Sequence, residues 1–215
     1  METVATVTEA PLGRRERKKR ATRDTLRAAA LDLAERKGLS AVTVEAITER
    51  AGVAPRTFFN YFASKEDAVI NYDPDQLPIV EQALLARPAE ETALAALRHV
   101  LLDDLADREF GGPDFLRATR LVRADGRLRA AQAARWQEME QVMIDAIAQR
   151  CGLDPAADLY PSLVVATMVG AIRAAVRRWT DDDGITPLAE LAGEALDALA
   201  AGLPQPPPRR AGAPG

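Results

Sequence analysis

Residues 43–67 read TVEAITERAGVAPRTFFNYFASKED, and this stretch decides the fold of the front of the chain. From Thr43 to Ala51, apolar side chains recur at helical spacing, and a threonine at the start can cap the free N–H groups of a helix. Gly52 ends that helix, and Pro55 opens the next one, because proline suits the first helical position. The stretch therefore predicts two short helices joined by a tight turn, which is a helix-turn-helix.

The second of these helices is predicted to have an apolar side and a polar side. Phe58 and Phe62 are four residues apart, so both should face the interior. The polar side combines groups that bind phosphate with groups that can read base edges. Its members are Arg56, Thr57, Asn60 and Tyr61.

Two more helices flank this pair. Ser64 is followed three residues later by Asp67, which is close to a capping box and predicts a helix that could extend to Tyr72. A longer helix is predicted from about Lys18 to Lys37. Its buried face is marked by apolar residues at spacings of three and four, which are Leu26, Ala29, Ala30 and Leu33.

Charge is unevenly spread along the chain. The net charge is −4, yet residues 1–72 hold 13 Lys and Arg against 10 Asp and Glu. Six of the seven residues in Arg14–Arg20 are basic. A basic front indicates a polyanionic partner, although a solvated basic tail would give the same composition.

The stretch from Thr43 to Asp67 resembles the DNA-binding domain of the TetR family of bacterial repressors, with a resemblance that covers about residues 18–70. The shared features are Ile47, Ala51-Gly52-Val53, Thr57, Phe58, the aromatic residue at 59, Phe62 and Ser64-Lys65-Glu66. Three positions depart from the usual pattern of the family. Ala54 stands where Ser or Thr caps the recognition helix, Thr48 stands where Ala is usual, and Phe59 replaces a common Tyr.

The resemblance implies a DNA-binding surface. Thr43 and Lys65 would bind phosphates, and Phe59 would touch a sugar or a thymine methyl group. The basic arm of Lys18, Lys19 and Arg20 would follow the backbone or enter a minor groove. The recognition helix would present Pro55, Arg56, Thr57, Asn60 and Tyr61 to the major groove and its flanking backbone.

The whole chain is predicted to be all-α, with a three-helix DNA-binding domain followed by a larger helical domain for ligand binding and dimerisation. Gly and Pro punctuation predicts later helices at 76–87, 90–107, 113–123, 127–151, 156–180 and 187–202. The predicted organisation is a flexible leader at 1–13, a helix-turn-helix domain at 14–66, a second domain at 67–203 and a disordered tail at 204–215.

Two later helices carry apolar stripes that could pair two copies of the chain, as two-fold DNA binding requires. The same stripes could equally be core of a single chain. The predicted dimer-interface residues are Val165, Met168, Val169, Ile172, Val176, Leu188, Leu191, Ala195 and Leu199.

The remaining helices are predicted to surround a pocket, although ordinary core packing would explain the same residues. The candidate lining residues are His99, Leu102, Phe110, Phe115, Leu116, Thr119, Trp136, Met139 and Met143. The C-terminal half also resembles a TetR subgroup linked to acyl-CoA-like ligands. Five arginines would then meet CoA phosphates or form a solvated face, namely Arg117, Arg120, Arg123, Arg127 and Arg129.

Several function classes are disfavoured by residue counts. One cysteine, Cys151, excludes an internal disulfide, and one histidine disfavours a metal centre, so we expect neither metal nor cofactor. We expect Cys151 to be buried near a helix end. The longest apolar run, 163–172, is shorter than the roughly 20 residues of a membrane span, so a cytoplasmic protein is expected.

The sequence thus predicts a ligand-responsive repressor that binds a palindromic operator in double-stranded DNA as a homodimer. A small apolar or acyl-CoA-like effector would release it. The alternatives are a helical small-molecule-binding protein with vestigial DNA binding and an all-α enzyme. The enzyme is disfavoured because no nucleophile–base pair, metal cluster or phosphate-binding loop is found.

Overall fold

The computed structural model describes residues 14–107 and 111–204, and the described residues form helices and turns without a strand. The prediction of an all-α fold is therefore confirmed. The chain divides into two compact units, Met1–Tyr72 and Asp73–Gly215, called unit 1 and unit 2. The predicted leader at 1–13 and residues 205–215 of the predicted tail lie outside the described residues.

Unit 1 contains one long helix followed by short ones. They are α1 (Arg14–Lys37), a 3₁₀ turn (Leu39–Ala41), α2 (Val44–Ala51), α3 (Pro55–Phe58) and α4 (Lys65–Ile70). α4 ends two residues before the predicted limit, because Asn71 adopts a left-handed conformation with φ 57°. Unit 1 extends to Tyr72, beyond the predicted domain boundary after residue 66, because α4 packs against α1.

Local capping explains where the short helices begin. The Thr43 hydroxyl accepts a hydrogen bond from the Ala46 N–H at 3.2 Å, and the Ser64 hydroxyl accepts one from the Asp67 N–H at 3.0 Å. Both caps agree with the sequence. Ala54 has the extended backbone of a cap residue but makes no side-chain bond, so α3 begins uncapped.

The core of unit 1 joins α1 to α2 and to the segment around α3. Leu26, Leu31, Ile47 and Phe58 are fully buried, and Phe62 lies beside Phe58 with ring centroids 5.7 Å apart. The predicted inner face of α1 is also buried. This core holds both ends of the helix-turn-helix against a helix of 24 residues.

Unit 2 is built from six helices within the described residues. They are α5 (Leu77–Ala86), α6 (Ala93–Asp107), α7 (Pro113–Ala124), α8 (Gly126–Cys151), α9 (Leu159–Asp181) and α10 (Leu188–Ala200), with a 3₁₀ turn at Pro74–Gln76 before them. Each predicted helix is present, and the observed ends differ from the predicted ones by at most three residues.

The core of unit 2 centres on α9, which packs against α6, α7, α8 and α10. Trp179 is 1% exposed, and its ring lies 5.5 Å from that of Phe115 on α7. Among the described helices, α9 is the one long and apolar enough to cross a bilayer, a test that a core helix of a soluble protein also passes. Its apolar stripe is buried inside unit 2.

The burial of this stripe corrects part of the predicted dimer interface. Five of the predicted residues are at most 6% exposed in a single chain and form its interior, so a partner cannot cover them; they are Val165, Met168, Val169, Ile172 and Leu188. The other four, Val176, Leu191, Ala195 and Leu199, are partly exposed. Cys151 is also exposed, contrary to expectation, because it ends α8 beside the left-handed Gly152.

Candidate nucleic-acid-binding surface

The turn between α2 and α3 is closed by backbone hydrogen bonds. Gly52 has φ 68°, a left-handed conformation that glycine adopts without strain, and its N–H donates to the Glu49 carbonyl. The Val53 N–H donates to the Thr48 carbonyl at 3.0 Å. This pattern terminates α2 and redirects the chain into Pro55, which occupies the first turn of α3.

Residues 55–61, called the recognition segment, expose the side chains that the sequence assigns to DNA. α3 spans four residues, and hydrogen-bonded turns continue it to Tyr61. Pro55, Arg56 and Asn60 are exposed, and Thr57 and Tyr61 are partly exposed. Phe58 and Phe62 occupy the opposite, buried side. The segment therefore has the two-sided character that a helix entering a major groove requires.

Phe59 is the largest apolar side chain on this surface. It is 62% exposed, and its ring meets the buried Phe58 edge-on, with centroids 5.4 Å apart and planes at 84°. An exposed aromatic ring costs solvation free energy, so its position beside polar residues favours a contact with an apolar part of a partner.

The two predicted phosphate ligands, Thr43 and Lys65, differ in the hydrogen bonds that their side chains make within the protein. The Thr43 hydroxyl is exposed, and while it accepts from Ala46 it keeps its own hydrogen free to donate. Lys65 is partly buried, and its Nζ donates to the carbonyl oxygens of Leu39 at 2.9 Å and Val42 at 2.7 Å. Two of the three N–H donors of the Lys65 ammonium group are thus used within unit 1, and its role as a phosphate ligand stays a prediction.

The basic arm is helical. Lys18, Lys19 and Arg20 are exposed but lie inside α1, which begins at Arg14. An α-helix with its side chains is about 10–12 Å wide and the minor groove of B-DNA about 6 Å. The helix itself is therefore too wide for a minor groove, but its exposed side chains can follow the backbone or reach into a groove, so the predicted role of these three residues stays a prediction.

The predicted pocket residues of unit 2 lie around its core. Leu102, Phe115, Leu116, Trp136 and Met139 are partly buried and pack against it, whereas Met143 is fully buried. Thr119 donates to the Phe115 carbonyl at 2.8 Å. Phe110 lies outside the described residues. Two depressions lie on the surface of α9 and α10, and one of them, of about 480 Å³, is lined by Arg173, Arg177 and Arg178. None of the predicted pocket residues lines either depression.

The single histidine belongs to a polar cluster. Arg87 donates through Nε to Glu91 at 2.9 Å and contacts His99 Nδ1 at 3.2 Å. Hydrogen bonding from Arg87 lowers the pKa of the Glu91 carboxyl below its usual value. Arg150 donates to the carbonyl oxygens of Arg87 and Glu91 at 2.8 and 3.0 Å. The cluster thus fastens the α5–α6 connection to the end of α8.

Four of the five arginines that could meet CoA phosphates make ion pairs or hydrogen bonds within the protein. Arg117 pairs with Asp114, Arg120 with Asp183, and Arg123 with Asp181, while Arg129 donates to the Arg123 carbonyl. Arg127 is exposed. Within residues 14–107 and 111–204, no group of three or more His, Cys, Asp or Glu is placed to hold a metal ion.

Comparisons with known proteins agree with this architecture. Residues 26–69 match the family model described as bacterial regulatory proteins, tetR family, and residues 91–204 match the model described as MftR C-terminal domain. The chain is 35% identical to the HTH-type transcriptional regulator TcmR of Streptomyces glaucescens, over 87% of this chain and 86% of that protein.

Solved structures share the fold. A complex of SmeT with triclosan has a TM-score of 0.57 and 17% identity, over 88% of this chain and 100% of that one. The regulator FadR of Bacillus subtilis in complex with stearoyl-CoA has a TM-score of 0.52 and 20% identity, over 83% of this chain and 98% of that one.

Unit 1 and the helical unit that follows it in the chain define a helix-turn-helix DNA-binding protein. The chain belongs to the TetR family of bacterial transcriptional regulators. Members of this family regulate transcription and are not enzymes, which removes the enzyme alternative.

Proposed function

We propose that this regulator is a repressor that binds a palindromic operator as a homodimer through the recognition segment and is released by a small apolar or acyl-CoA-like effector. The observation that carries the proposal is the two-sided recognition segment, with Phe58 and Phe62 buried and Arg56 and Asn60 exposed. Thr57, Tyr61, Thr43 and Phe59 complete the surface toward the duplex. Lys18, Lys19 and Arg20 supply charge for the backbone.

The DNA-binding part is tested with a duplex that the wild-type protein selects from a random-sequence library. Arg56→Ala and Tyr61→Ala are expected to abolish selective binding in fluorescence anisotropy while leaving the oligomeric state unchanged. Arg127→Ala, an exposed arginine of unit 2, is the matched control and should bind as wild type. Unchanged affinity in both recognition-segment variants refutes the assigned surface.

For the homodimer, we propose the outer face of α9 with the partly exposed side of α10. Leu159, Tyr160 and Leu163 are 74%, 45% and 52% exposed, which leaves apolar area for a partner to cover. Gly170 adds an open position on this face, since a Cβ there would meet nothing within 4 Å. Val176, Leu191, Ala195 and Leu199 are the sequence-predicted residues that remain available.

Sedimentation velocity tests this face. Ala174→Arg places a long charged side chain on the exposed side of α9 and is expected to yield monomers. Ala133→Arg, at an exposed position of α8, is the control and should remain dimeric. A dimeric Ala174→Arg protein would place the interface elsewhere.

For the effector, the support is the set of partly buried apolar side chains that pack against the unit 2 core, together with the triclosan and stearoyl-CoA complexes of two proteins of this fold. Stearoyl-CoA or triclosan is expected to raise the melting temperature and weaken DNA binding, because a ligand shifts the equilibrium toward the state it binds better. Coenzyme A without an acyl chain is the control. If neither probe changes the melting temperature, the proposed effector class is wrong.

A further inference from the structure

The exposed charges of α9 and α10 have opposite signs. The basic residues of α9 are all exposed and lie in its second half, namely Arg173, Arg177 and Arg178. The one acidic residue of that helix, Asp181, pairs with Arg123 on α7. The charged residues of α10 are all acidic and exposed, namely Glu190, Glu194 and Asp197. Unit 2 thus places a basic helix beside an acidic one.

Some of these charges are paired within the chain and others are not. Arg173 pairs with Glu140 at 2.9 Å, and Asp197 pairs with Arg98 at 2.6 Å. Within the part of the chain that the structure describes, the remaining charges of the two helices make neither an ion pair nor a side-chain hydrogen bond; they are Arg177, Arg178, Glu190 and Glu194. These four charges are available to a partner.

Two of the available charges, Arg178 and Glu194, line the same depression of about 280 Å³ between α9 and α10. Its other lining residues are small or apolar, namely Ala174, Ala175, Leu191 and Ala195. The two helices are joined by residues 182–187 and pack side by side, so they run antiparallel. Arg178 and Glu194 therefore lie at one level of the face, and the alanines between them leave room for a helix of a partner to approach.

The opposite end of the same two helices is apolar. Leu159, Tyr160 and Leu163 are exposed at the start of α9. Leu203, which follows the end of α10, is exposed as well. The face formed by α9 and α10 therefore has an apolar end and a charged end, and this division restricts how a second copy can cover it.

Two-fold symmetry allows two ways of placing this face on its copy. With the symmetry axis along the helices, α9 lies on the partner's α10, and residues at one level of the face meet each other. With the axis across the helices, α9 lies on the partner's α9, and the charged end meets the apolar end. The second arrangement buries arginines against apolar side chains, which costs free energy because a buried charge needs a partner of opposite sign.

We propose that Arg178 and Glu194 determine how two copies of this chain recognise each other, with Arg178 pairing with the partner's Glu194 so that α9 packs on the partner's α10. The inference rests on the proposed homodimer. Symmetry forms the ion pair twice, and the apolar ends of the two faces then cover each other. The same charges disfavour contact between two basic helices, because like charges across an interface weaken association.

Charge reversal combined with mixing tests the pair. Arg178→Glu and Glu194→Arg each place like charges opposite each other at both points of their own homodimer, whereas a mixed dimer of the two variants joins opposite charges at both points. Arg127→Glu makes the same change of charge at an exposed position of α8 outside the depression and is the matched control. Sedimentation velocity gives the dimer Kd, and native mass spectrometry with a tag on one chain identifies mixed dimers. Circular dichroism checks that each variant is folded.

We expect each single variant to raise the dimer Kd about a hundredfold, because each like-charge contact weakens association about tenfold and symmetry doubles the contact. An equimolar mixture of Arg178→Glu and Glu194→Arg should form mixed dimers with a Kd near that of the wild type. The chain that carries both changes should form its own homodimer and should not mix with the wild type. Arg127→Glu should dimerise as the wild type does and should not form mixed dimers with Glu194→Arg.

Mixing separates this role from one in the stability of a single chain, because a contact within one chain is not restored by a second chain. Wild-type dimerisation by both Arg178→Glu and Glu194→Arg would overturn the inference. Variants that are monomeric alone and stay monomeric when mixed would overturn it as well, since the two charges then do not meet across the interface. A wild-type protein that sediments as a monomer contradicts the proposed homodimer itself, which separates that failure from the other two.

Discussion

Unit 1 and unit 2 are stabilised in different ways. α2, α3 and α4 have 8, 4 and 6 residues, and they are held by caps, a glycine turn and the hydrogen bonds of Arg23 and Lys65. α8 and α9 have 26 and 23 residues, and they bury long apolar side chains such as Met143 and Trp179. The difference indicates that unit 1 is built to orient a small surface, whereas unit 2 is built around a packed volume.

The largest expected effect tests the apolar anchor of unit 1. Phe58→Ala should lower the free energy of unfolding by about 3–5 kcal/mol, because it leaves a cavity beneath the recognition segment. Urea denaturation followed by circular dichroism measures this. Phe59→Ala is the control, since its ring is 62% exposed and its removal should change stability by less than about 1 kcal/mol. Equal losses in the two variants would contradict the two-sided recognition segment.

The next effect concerns the two sides of α9 in unit 2. Ile172→Ala, at 6% exposure, should cost about 2–5 kcal/mol in unfolding free energy. Leu163→Ala, at 52% exposure, should change the stability of the dissociated chain by less than about 0.5 kcal/mol. Chemical denaturation at matched low protein concentration compares them. A large loss in Leu163→Ala would show that this side chain belongs to the core.

A smaller effect, of opposite sign, concerns the missing cap of α3. Ala54 already has the extended backbone of a cap residue, so Ala54→Ser should raise the unfolding free energy by about 0.5–1 kcal/mol. Ala63→Ser, an exposed turn position outside any cap, is the control and should be neutral. Thermal melts of both variants test whether a serine cap stabilises α3. An unchanged melting temperature in Ala54→Ser would contradict that expectation.

The smallest effect is a dependence on pH in unit 2. The hydrogen bond from Arg87 lowers the pKa of Glu91 below its ordinary value of 4.5, so the stability from this pair is complete above that pH and is lost as the pH falls through the lower folded value. Glu91→Gln should therefore flatten the acid limb of the stability–pH curve in denaturant titrations. Glu90→Gln, at an exposed neighbour, should leave the curve as it is in the wild type.

The same contrast explains how far the sequence could predict the structure. The caps at Thr43 and Ser64, the turn at Gly52 and the start of α3 at Pro55 were predictable because each depends on residues within four positions. Glycine and proline punctuation likewise located the helices of unit 2. Local signals of this kind were sufficient for the fold.

The errors arise where the outcome depends on distant residues. Periodicity marks Val165 and Ile172 as buried, but it does not say whether their own chain or a second copy covers them. The carbonyl acceptors of Lys65 lie 23 and 26 residues earlier in the chain, so these hydrogen bonds could not be predicted from its neighbours. No pattern near Lys65 or Arg23 could have identified those carbonyls.

The exposed thiol of Cys151 has a practical consequence. The chain contains one cysteine, and it lies on the surface at the end of α8. A maleimide spin label should therefore attach at one defined point per molecule without any substitution. In a two-fold assembly the paired labels would give a single interspin distance, and its change on adding DNA or stearoyl-CoA would report directly on how the two copies rearrange.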